Sequence, residues 1–491
     1  MKEAAEALSR AAGRSVLAVF LLVGLQALFA VPELSWELAV PGREGLGTAI
    51  SLGVAALAAA VLWKVRAPVL ARLEPVAARL ARVPRGPWLS GVLLLGLVLR
   101  LAWVLVFPVD RQTSDAGTYF DLGALLARGE AYVTPNSGTR AEWPPGLPAL
   151  LALSFHLVGI GQRAVILLNL ALFAATLLVV DALARWLAGE GPARLATLLF
   201  ALWPNLIASA GIANKEGVVA LALTLSFLFH VIGQESPSPG RRWLAWSGAG
   251  LALGCAVLTQ PALLLLPSAF VVADLIGRVP FRRALPAWGL LIGGMAAMTA
   301  PWMLRNEQIL GRPVLTTNGG SVFYRANNPR ATGGWIEHGE RRLDHLGELE
   351  ASDAGYRWGM AWVRENPDDF LTLAVRKQIL FLGDDAIGVY ETLKRGLGRE
   401  GPLYAVLKLL ASGWWWCLWL LILLGLSRWW PHGPERAGRI PAGLLLLLLA
   451  FLYTWAIDSV FESGSRHHVP LAGVVAVLAA LAGGREKAEV R

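Results

Sequence analysis

Long apolar runs alternate with short polar loops along most of this chain. The runs cover residues 15–31, 46–65, 88–107, 144–160, 163–187, 194–210, 214–233, 243–259, 261–277, 284–303, 403–427, 440–460 and 467–483. Each is long enough, or nearly so, to cross a bilayer as a helix at ~1.5 Å per residue. Basic residues in the short loops set the orientation. Lys64, Arg66, Arg72, Arg79, Arg82 and Arg85 place the second loop inside. Arg185 with Arg194, Arg241 with Arg242, the group Arg278, Arg282 and Arg283, and the group Arg428, Arg436 and Arg439 do the same for later loops. Up-and-down threading then fails only over residues 144–187, where two apolar runs must make one net crossing. The 144–160 run is short and begins at Pro144-Pro145, so it is expected to be re-entrant or tilted, with 163–187 as the crossing. A mis-signed loop is the alternative.

This threading puts four polar segments on one face: loop 108–143, the turn Asn214-Lys215-Glu216, segment 304–402 and the turn Glu462–His468. That face is extracytoplasmic. Segment 304–402 is basic, but long segments translocate largely regardless of charge. It is polar and turn-rich, which predicts a small folded lid. Asn366-Pro367-Asp368-Asp369 reads as a helix start, with cap, first-turn proline and acids at the positive helix end. The helix that follows, 370–382, is expected along the membrane. Residues 66–86 alternate apolar side chains with arginines and read as an interfacial helix or as a plain basic linker. The N-terminal run to Val31 is read as a retained anchor rather than a cleaved signal.

Composition agrees with a polytopic membrane protein. The chain has 491 residues, 55% hydrophobic and 16% charged, against about 25% charged in soluble domains. The net charge of +9 reflects basic inner loops and is no sign of nucleic-acid binding. Two cysteines, Cys255 and Cys417, lie in apolar runs and report neither a disulfide framework nor a thiolate metal site. Most of the 21 tryptophans fit interfacial belts. Trp414-Trp415-Trp416 with Trp419 read first as lipid-facing packing and second as a prenyl groove.

Candidate chemistry gathers in the extracytoplasmic loops. Asp110, Asp115 and Asp121 fall close together in the first loop. If Ser114 caps a helix, Asp115 and Tyr119 share a face at i, i+4. A carboxylate near the bilayer surface can serve as general base toward an acceptor hydroxyl, or can be a capping acid in a solvated loop. Arg100 lies inside an apolar span, where a cation is costly and marks a partner, a site or a snorkelling side chain. Lys215-Glu216 are a boundary pair or a phosphate and hydroxyl contact. Asp458, Glu462 and Arg466 recur at helical spacing ahead of His467-His468. They suggest a buried network or an anion site. A metal site from those histidines is disfavoured, because adjacent side chains point apart. The sequence holds no Walker loop, no dinucleotide fingerprint and no serine-nucleophile elbow.

Taken together, LVLRLAW before the first loop, SDAGTYFDLGALLARGEAY within it, WPPGLPALLAL after it, and the late pieces PWMLRNEQILGRPVLTTNGGSVFYRANNPRATGG and ESGSRHHVPLAG resemble the GT-C superfamily. These are polyprenyl-phosphate-sugar-dependent glycosyltransferases, and the bacterial protein-mannosyltransferase and aminoarabinose-transferase branch is the most similar. The resemblance covers roughly residues 88–485. It implies an all-α polytopic GT-C-type helix bundle of about 12–13 apolar segments with a small extracytoplasmic domain. It divides the chain into an N-terminal two-helix addition with a basic linker (1–87), a core (88–303), a lid (304–402) and C-terminal helices (403–491).

The resemblance further implies an inverting transfer from a polyprenyl-phosphate sugar to an acceptor hydroxyl on a lipid, glycan or protein. Asp115 matches the catalytic acid position and takes the base or acceptor-orienting role. Asp110, Tyr119, Glu142 and Glu216 are the expected acceptor-side residues. Arg466, Lys215, Arg305 and Arg100 are the expected donor-phosphate contacts, because a phosphate leaving group needs cations to stabilise its charge. Ala116 stands where many relatives carry a second acid, so that carboxylate, Asp110 or Glu142, must come from elsewhere. His467 stands where a tyrosine is common. A divalent metal, Mg or Mn, is left open. The expected home is the bacterial cytoplasmic membrane, among membrane lipids, with the site facing outward. The competing readings are an O-antigen-ligase-like enzyme with a lipid-diphosphate donor, and a lipid or glycan transporter.

Overall fold

The computed structural model describes residues 2–39, 44–430 and 439–484, and within them the chain is helical with no strand. Arg436, one of the orienting basic residues, lies outside the described residues. Helices α1 (Lys2–Ala39), α2 (Glu44–Ala81) and α3 (Arg85–Val106) precede the first polar loop, which carries α4 (Ser114–Ala127). Then come α5 (Gly146–Val158), α6 (Gln162–Ala188), α7 (Glu190–Ala201), α8 (Pro204–Ala208), α9 (Glu216–Glu235), α10 (Pro239–Thr259), α11 (Pro267–Ile276) and α12 (Phe281–Leu310). Segment 304–402 holds α13 (Gly319–Ala326), α14 (Glu348–Glu365), α15 (Pro367–Gly383) and the short α16 (Ile387–Val389). Helices α17 (Pro402–Leu426), α18 (Ala442–Val460) and α19 (Ala472–Ala480) close the bundle.

Every apolar run of the sequence is a helix, but not every one is a full span. Among the described residues eight helices are long and apolar enough to cross a membrane, and α7 with the turn that follows it forms a ninth, bent by 47°. The fold is that of an all-α polytopic membrane protein. α5 is one of the short ones. At ~1.5 Å per residue its length is well under the ~30 Å hydrocarbon core. Gln162, the first residue of α6, hydrogen-bonds Gln112 (2.7 Å) and the Gly211 carbonyl (2.6 Å), both at the end that carries the first loop. Gly146, the first residue of α5, lies against Thr259 at the same end, close enough that a Cβ would clash. α5 therefore enters and leaves by one face, and α6 makes the crossing.

Two expectations change. Residues 66–81 are not a separate interfacial helix, because α2 runs on through Pro68 and Pro75 to Ala81. The Ala, Leu and Arg content of that stretch favours helix strongly enough to continue it. Trp415 and Trp419 are fully buried rather than lipid-facing. The Trp415 indole has partners inside, donating to the Leu382 carbonyl (2.6 Å) and stacking on His468 at 4.2 Å.

Three arginines at the end of the bundle away from the first loop converge on one acid. Asp181, fully buried, meets Arg85 (2.9 Å), Arg194 (3.3 Å) and Arg185 (3.9 Å). At the other end α15 is tied to the bundle. The buried Lys377 amine of α15 donates to Asn327 (3.0 Å) and to the Val460 carbonyl at the end of α18 (3.1 Å). Ser463 donates back to the Lys377 carbonyl (2.7 Å). These bonds fix the turn that carries Arg466. Asn366 precedes α15 as expected, but its amide donates backwards to the Trp362 carbonyl (3.0 Å) instead of capping α15.

Candidate active site

Asp115 owes its position to the first turn of α4. The cap position belongs to Thr113 rather than Ser114, because the extended Thr113 backbone carries the carbonyl that receives the Gly117 N–H (3.1 Å). Ser114 opens the helix with φ +54°, a conformation that L-residues adopt only at a cost and that clusters at functional sites. From there Asp115 faces Arg466, with Oδ2 2.6 Å from Nη1. This is a charge-assisted contact of the stronger kind.

Around this pair is a small recess with about 30 Å³ of free space. Its walls come from four segments distant in sequence: Asp115 and Tyr119 of α4, Lys215 and Glu216 at the start of α9, Ile387–Arg395 beyond α15, and Arg466. Tyr119 is held edge-on against Trp143, with ring centroids 5.0 Å apart. Glu391 and Arg395 pair at 2.7 Å across one turn of a π-helical stretch, Tyr390–Gly396. π-Helical turns recur at functional sites. The recess thus sets three carboxylates (Asp115, Glu216, Glu391) against three cations (Lys215, Arg395, Arg466). The formal charges balance, which leaves room to trade partners when an anion arrives.

Electrostatics separates the carboxylates. Burial opposes ionisation of Asp115, but Arg466 outweighs it, with Lys215 and Arg395 adding, and holds the carboxyl below its ordinary range. Burial pushes the Glu391 carboxyl up, and Asp115 adds to the push while Arg395 and Arg466 oppose it. The Lys215 ammonium is pulled down by burial and by Arg466, with Glu216 and Asp115 in partial compensation. Burial, then Asp115 and Glu216, raise the Tyr119 phenol well above its ordinary range, so it is a hydrogen-bond donor.

Behind the recess is a fully buried network. Asp385 accepts from the Trp203 indole and the Asn205 amide, and it meets His468 Nε2 at 3.0 Å. His468 Nδ1 donates to the Phe381 carbonyl (2.7 Å), so one proton is shared between Asp385 and Nε2. Burial raises the Asp385 carboxyl against the pull of His468. Asn205 also accepts the Gly388 N–H (2.8 Å), and Thr392 donates to the Ala208 carbonyl (3.0 Å). The wall bearing Glu391 is thereby docked on α8, and the turn bearing Arg466 on the same acid.

Several expected residues lie elsewhere. Asp110 is exposed and away from the recess. Glu142 accepts from Thr139 (2.8 Å) within its own loop. Arg305 donates to the carbonyls of Arg140 (2.7 Å) and Tyr132 (3.2 Å), holding the first loop to α12. Arg100, 2% exposed, donates to Gly96 and Ala201 carbonyls (3.1 Å each) and lies over the Phe173 ring at 3.6 Å. It borders a separate small cavity that also touches Asn214 and Glu216. His467 turns to Asp458 (2.7 Å) while His468 turns to Asp385, so the adjacent histidines do point apart. Among the described residues no three His, Cys, Asp or Glu side chains converge on one point. With Asp115 already committed to Arg466, the residues present do not fit a divalent metal. Sequence reasoning missed Asp385, Glu391 and Arg395. Their only signal was the i, i+4 pairing of Glu391 and Arg395 just after an Asp384-Asp385 doublet.

A multi-helix membrane protein with an acid–arginine recess at one end is the class defined so far. Residues 142–304, about a third of the chain, match the family model described as dolichyl-phosphate-mannose-protein mannosyltransferase. That match bears out the resemblance to the GT-C glycosyltransferases. No curated protein matches the chain. Among solved structures it is similar to the Archaeoglobus fulgidus oligosaccharyltransferase, at 12% identity and a TM-score of 0.49, over 80% of this chain and 50% of that one. It is also similar to ArnT from Cupriavidus metallidurans bound to undecaprenyl phosphate, at 17% identity and a TM-score of 0.42, over 82% and 78%. The chain spans about half the length of the archaeal enzyme.

Proposed function

We propose that this protein is a multi-pass membrane glycosyltransferase. It moves a sugar from a polyprenyl-phosphate carrier to an acceptor hydroxyl at the Asp115 recess, with inversion. The membrane is the bacterial cytoplasmic membrane and the recess faces outward. The observation that carries the reading is the Asp115–Arg466 pair, a base and a phosphate ligand held together beside the further cation Lys215. The family match over residues 142–304 supports the substrate class.

In this reading the acceptor oxygen attacks the anomeric carbon while the bond from that carbon to the phosphate oxygen breaks. The acceptor proton passes to the Asp115 carboxylate. Asp115 is a weak base, so it orients the hydroxyl first and takes the proton as the forming bond makes that oxygen acidic. The departing phosphate gains negative charge. Arg466 receives it, and the Lys215 ammonium, on the wall of the same recess, joins it. Glu391 and Glu216 are the second carboxylates that Ala116 withholds, and they hold the sugar or acceptor hydroxyls. The free space in the recess is too small for a sugar ring, so binding parts the walls.

The test is turnover of a panel of synthetic polyprenyl-phosphate sugars by purified protein. Free polyprenyl phosphate and a product of opposite anomeric configuration are the expected result. Folded protein that binds these lipids and never releases the sugar to any acceptor extract overturns it.

A further inference from the structure

The starts of α10 and α12 lie at the end of the bundle away from the Asp115 recess. Glu216 opens α9 at the recess, and Gln234 lies at the far end of the same helix, roughly 25–30 Å along it at ~1.5 Å per residue. There the Gln234 carbonyl receives Arg283 Nη1 of α12 (3.1 Å). A cavity of about 320 Å³ opens beside that contact. Its walls are Arg242, Trp243 and Trp246 of α10 with Arg282, Arg283 and Pro286 of α12.

The packing of the two helices fixes this cavity. Roughly two to three turns further along, their backbones touch. A Cβ on Gly250 would stand 2.5 Å from the Leu290 carbonyl oxygen, and one on Gly294 would stand 2.9 Å from the Gly250 backbone. The arginines of the two helices therefore sit on one rigid pair rather than on separate arms. Trp246 is buried and stands edge-on to Trp243, with ring centroids 6.2 Å apart, which gives the cavity a stiff aromatic side.

The cavity's charge is of one sign. Its wall holds three guanidiniums and no acid. Neither helix has an acid in its first turn, although the positive end of a helix dipole favours one. The acids on the neighbouring helices have partners of their own. Asp274 of α11 receives the Gln234 amide (2.9 Å) and the Trp288 indole (3.0 Å), and Glu235 of α9 receives the Trp186 indole (2.6 Å). Arg283 spends one N–H on Gln234, and a guanidinium has five to give. Like charges gathered in this way repel, and a bound anion removes that cost. The adjoining side chains are apolar. Leu244, Phe281 and Leu285 are exposed on the same two helix starts, as is Trp243. A free anion gains nothing from such surface, whereas acyl chains do.

We propose that this cavity binds the phosphate headgroup of an anionic phospholipid in the leaflet opposite the recess. Arg242, Arg282 and Arg283 receive the phosphodiester, and the acyl chains run over Leu244, Phe281 and Leu285. Basic pockets between membrane helices are suited to such headgroups. A zwitterionic lipid would bring its ammonium beside the three arginines and gain less. The proposal goes beyond the glycosyltransferase reading and does not depend on it.

The test is native mass spectrometry of the purified full chain with phosphatidylglycerol, phosphatidylethanolamine of the same chain length, or soluble glycerophosphoglycerol. The anionic lipid should be retained about tenfold more tightly than the zwitterionic one, and the soluble headgroup should bind weakly. The double variant Arg242→Gln/Arg282→Gln should melt close to the parent and lose the preference, and each single variant should lose part of it. A control pair on α2, Arg72→Gln/Arg79→Gln, changes two exposed arginines away from the cavity and should keep it. Equal retention of the two lipids, or equal binding of the soluble headgroup, overturns the proposal. So does a preference that survives in Arg242→Gln/Arg282→Gln, or one that falls equally in the α2 pair, since the attraction would then be diffuse.

Discussion

Asp115 and Arg466 each leave about a third of their side-chain surface open to solvent, so their pairing serves the site more than the fold. Asp115→Asn should therefore melt close to the parent while turnover falls about 10²–10⁴-fold, the usual range for a lost general base. The pH profile gives a second check. Because Arg466 holds the Asp115 carboxyl down, the charged form persists as pH falls through the ordinary carboxylate range, near 4, and the pair is lost only below it. Glu391 is pushed the other way and protonates first, so an acid limb that depends on it should move to lower pH in Glu391→Gln. A limb that stays in place removes Glu391 from the reacting complex. Asp115, Lys215, Glu216 and Arg466 were readable from the sequence because each stands at the edge of an apolar span, where a charge is conspicuous. Glu391 and Arg395 were not, since they lie in a long segment already crowded with charges. Asp110, Glu142 and Arg305 have the right chemistry and the wrong direction, which only the folded loop reveals.

Among the elements, the segment from Asp385 to Arg395 matters most, because it forms one wall of the recess and is docked from behind. Gly388 has no room for a side chain. A Cβ there would stand 2.5 Å from the Asn205 carbonyl and from Ser209 Oγ. Gly388→Ala should cost about 1–3 kcal/mol as an overpacking change, read as a lowered Tm, with turnover reduced through the displaced Glu391. Asp385→Ala should cost more, about 3–5 kcal/mol, by stranding Trp203, Asn205 and His468 in the core. Asp385→Asn keeps acceptor capacity and should recover part of that loss. Equal melting of Asp385→Ala and the parent would show that the network does not hold the wall. At this scale the apolar runs predicted the helices themselves. They could not show that α2 continues through two prolines, since propensity and proline oppose each other there.

Over the whole molecule, charge is sorted to the two ends. Arg85, Arg185 and Arg194 gather on Asp181 at one end, and the recess forms at the other. The odd threading around α5 follows from this sorting, because both ends of α5 lie on the recess side. Cysteines placed at Ser137 and Ile160 in a Cys-free background should react with an impermeant thiol reagent from the same side. One placed at Arg241 should react only from the opposite side. Labelling of positions 137 and 160 from different sides would make α5 a true span and reverse everything after it. The basic-loop pattern made this topology legible, whereas the convergence of four distant segments on one recess depends on packing that no local pattern encodes.

The most direct measurement is single-turnover release of polyprenyl phosphate from a matched lipid-phosphate sugar, comparing the parent with Asp115→Asn under conditions where both are folded and both bind the lipid. A burst in the parent that is lost in Asp115→Asn, with lipid binding retained, is the predicted result. Equal release by the two proteins would contradict the account, because the chemistry would then lie away from the Asp115–Arg466 recess.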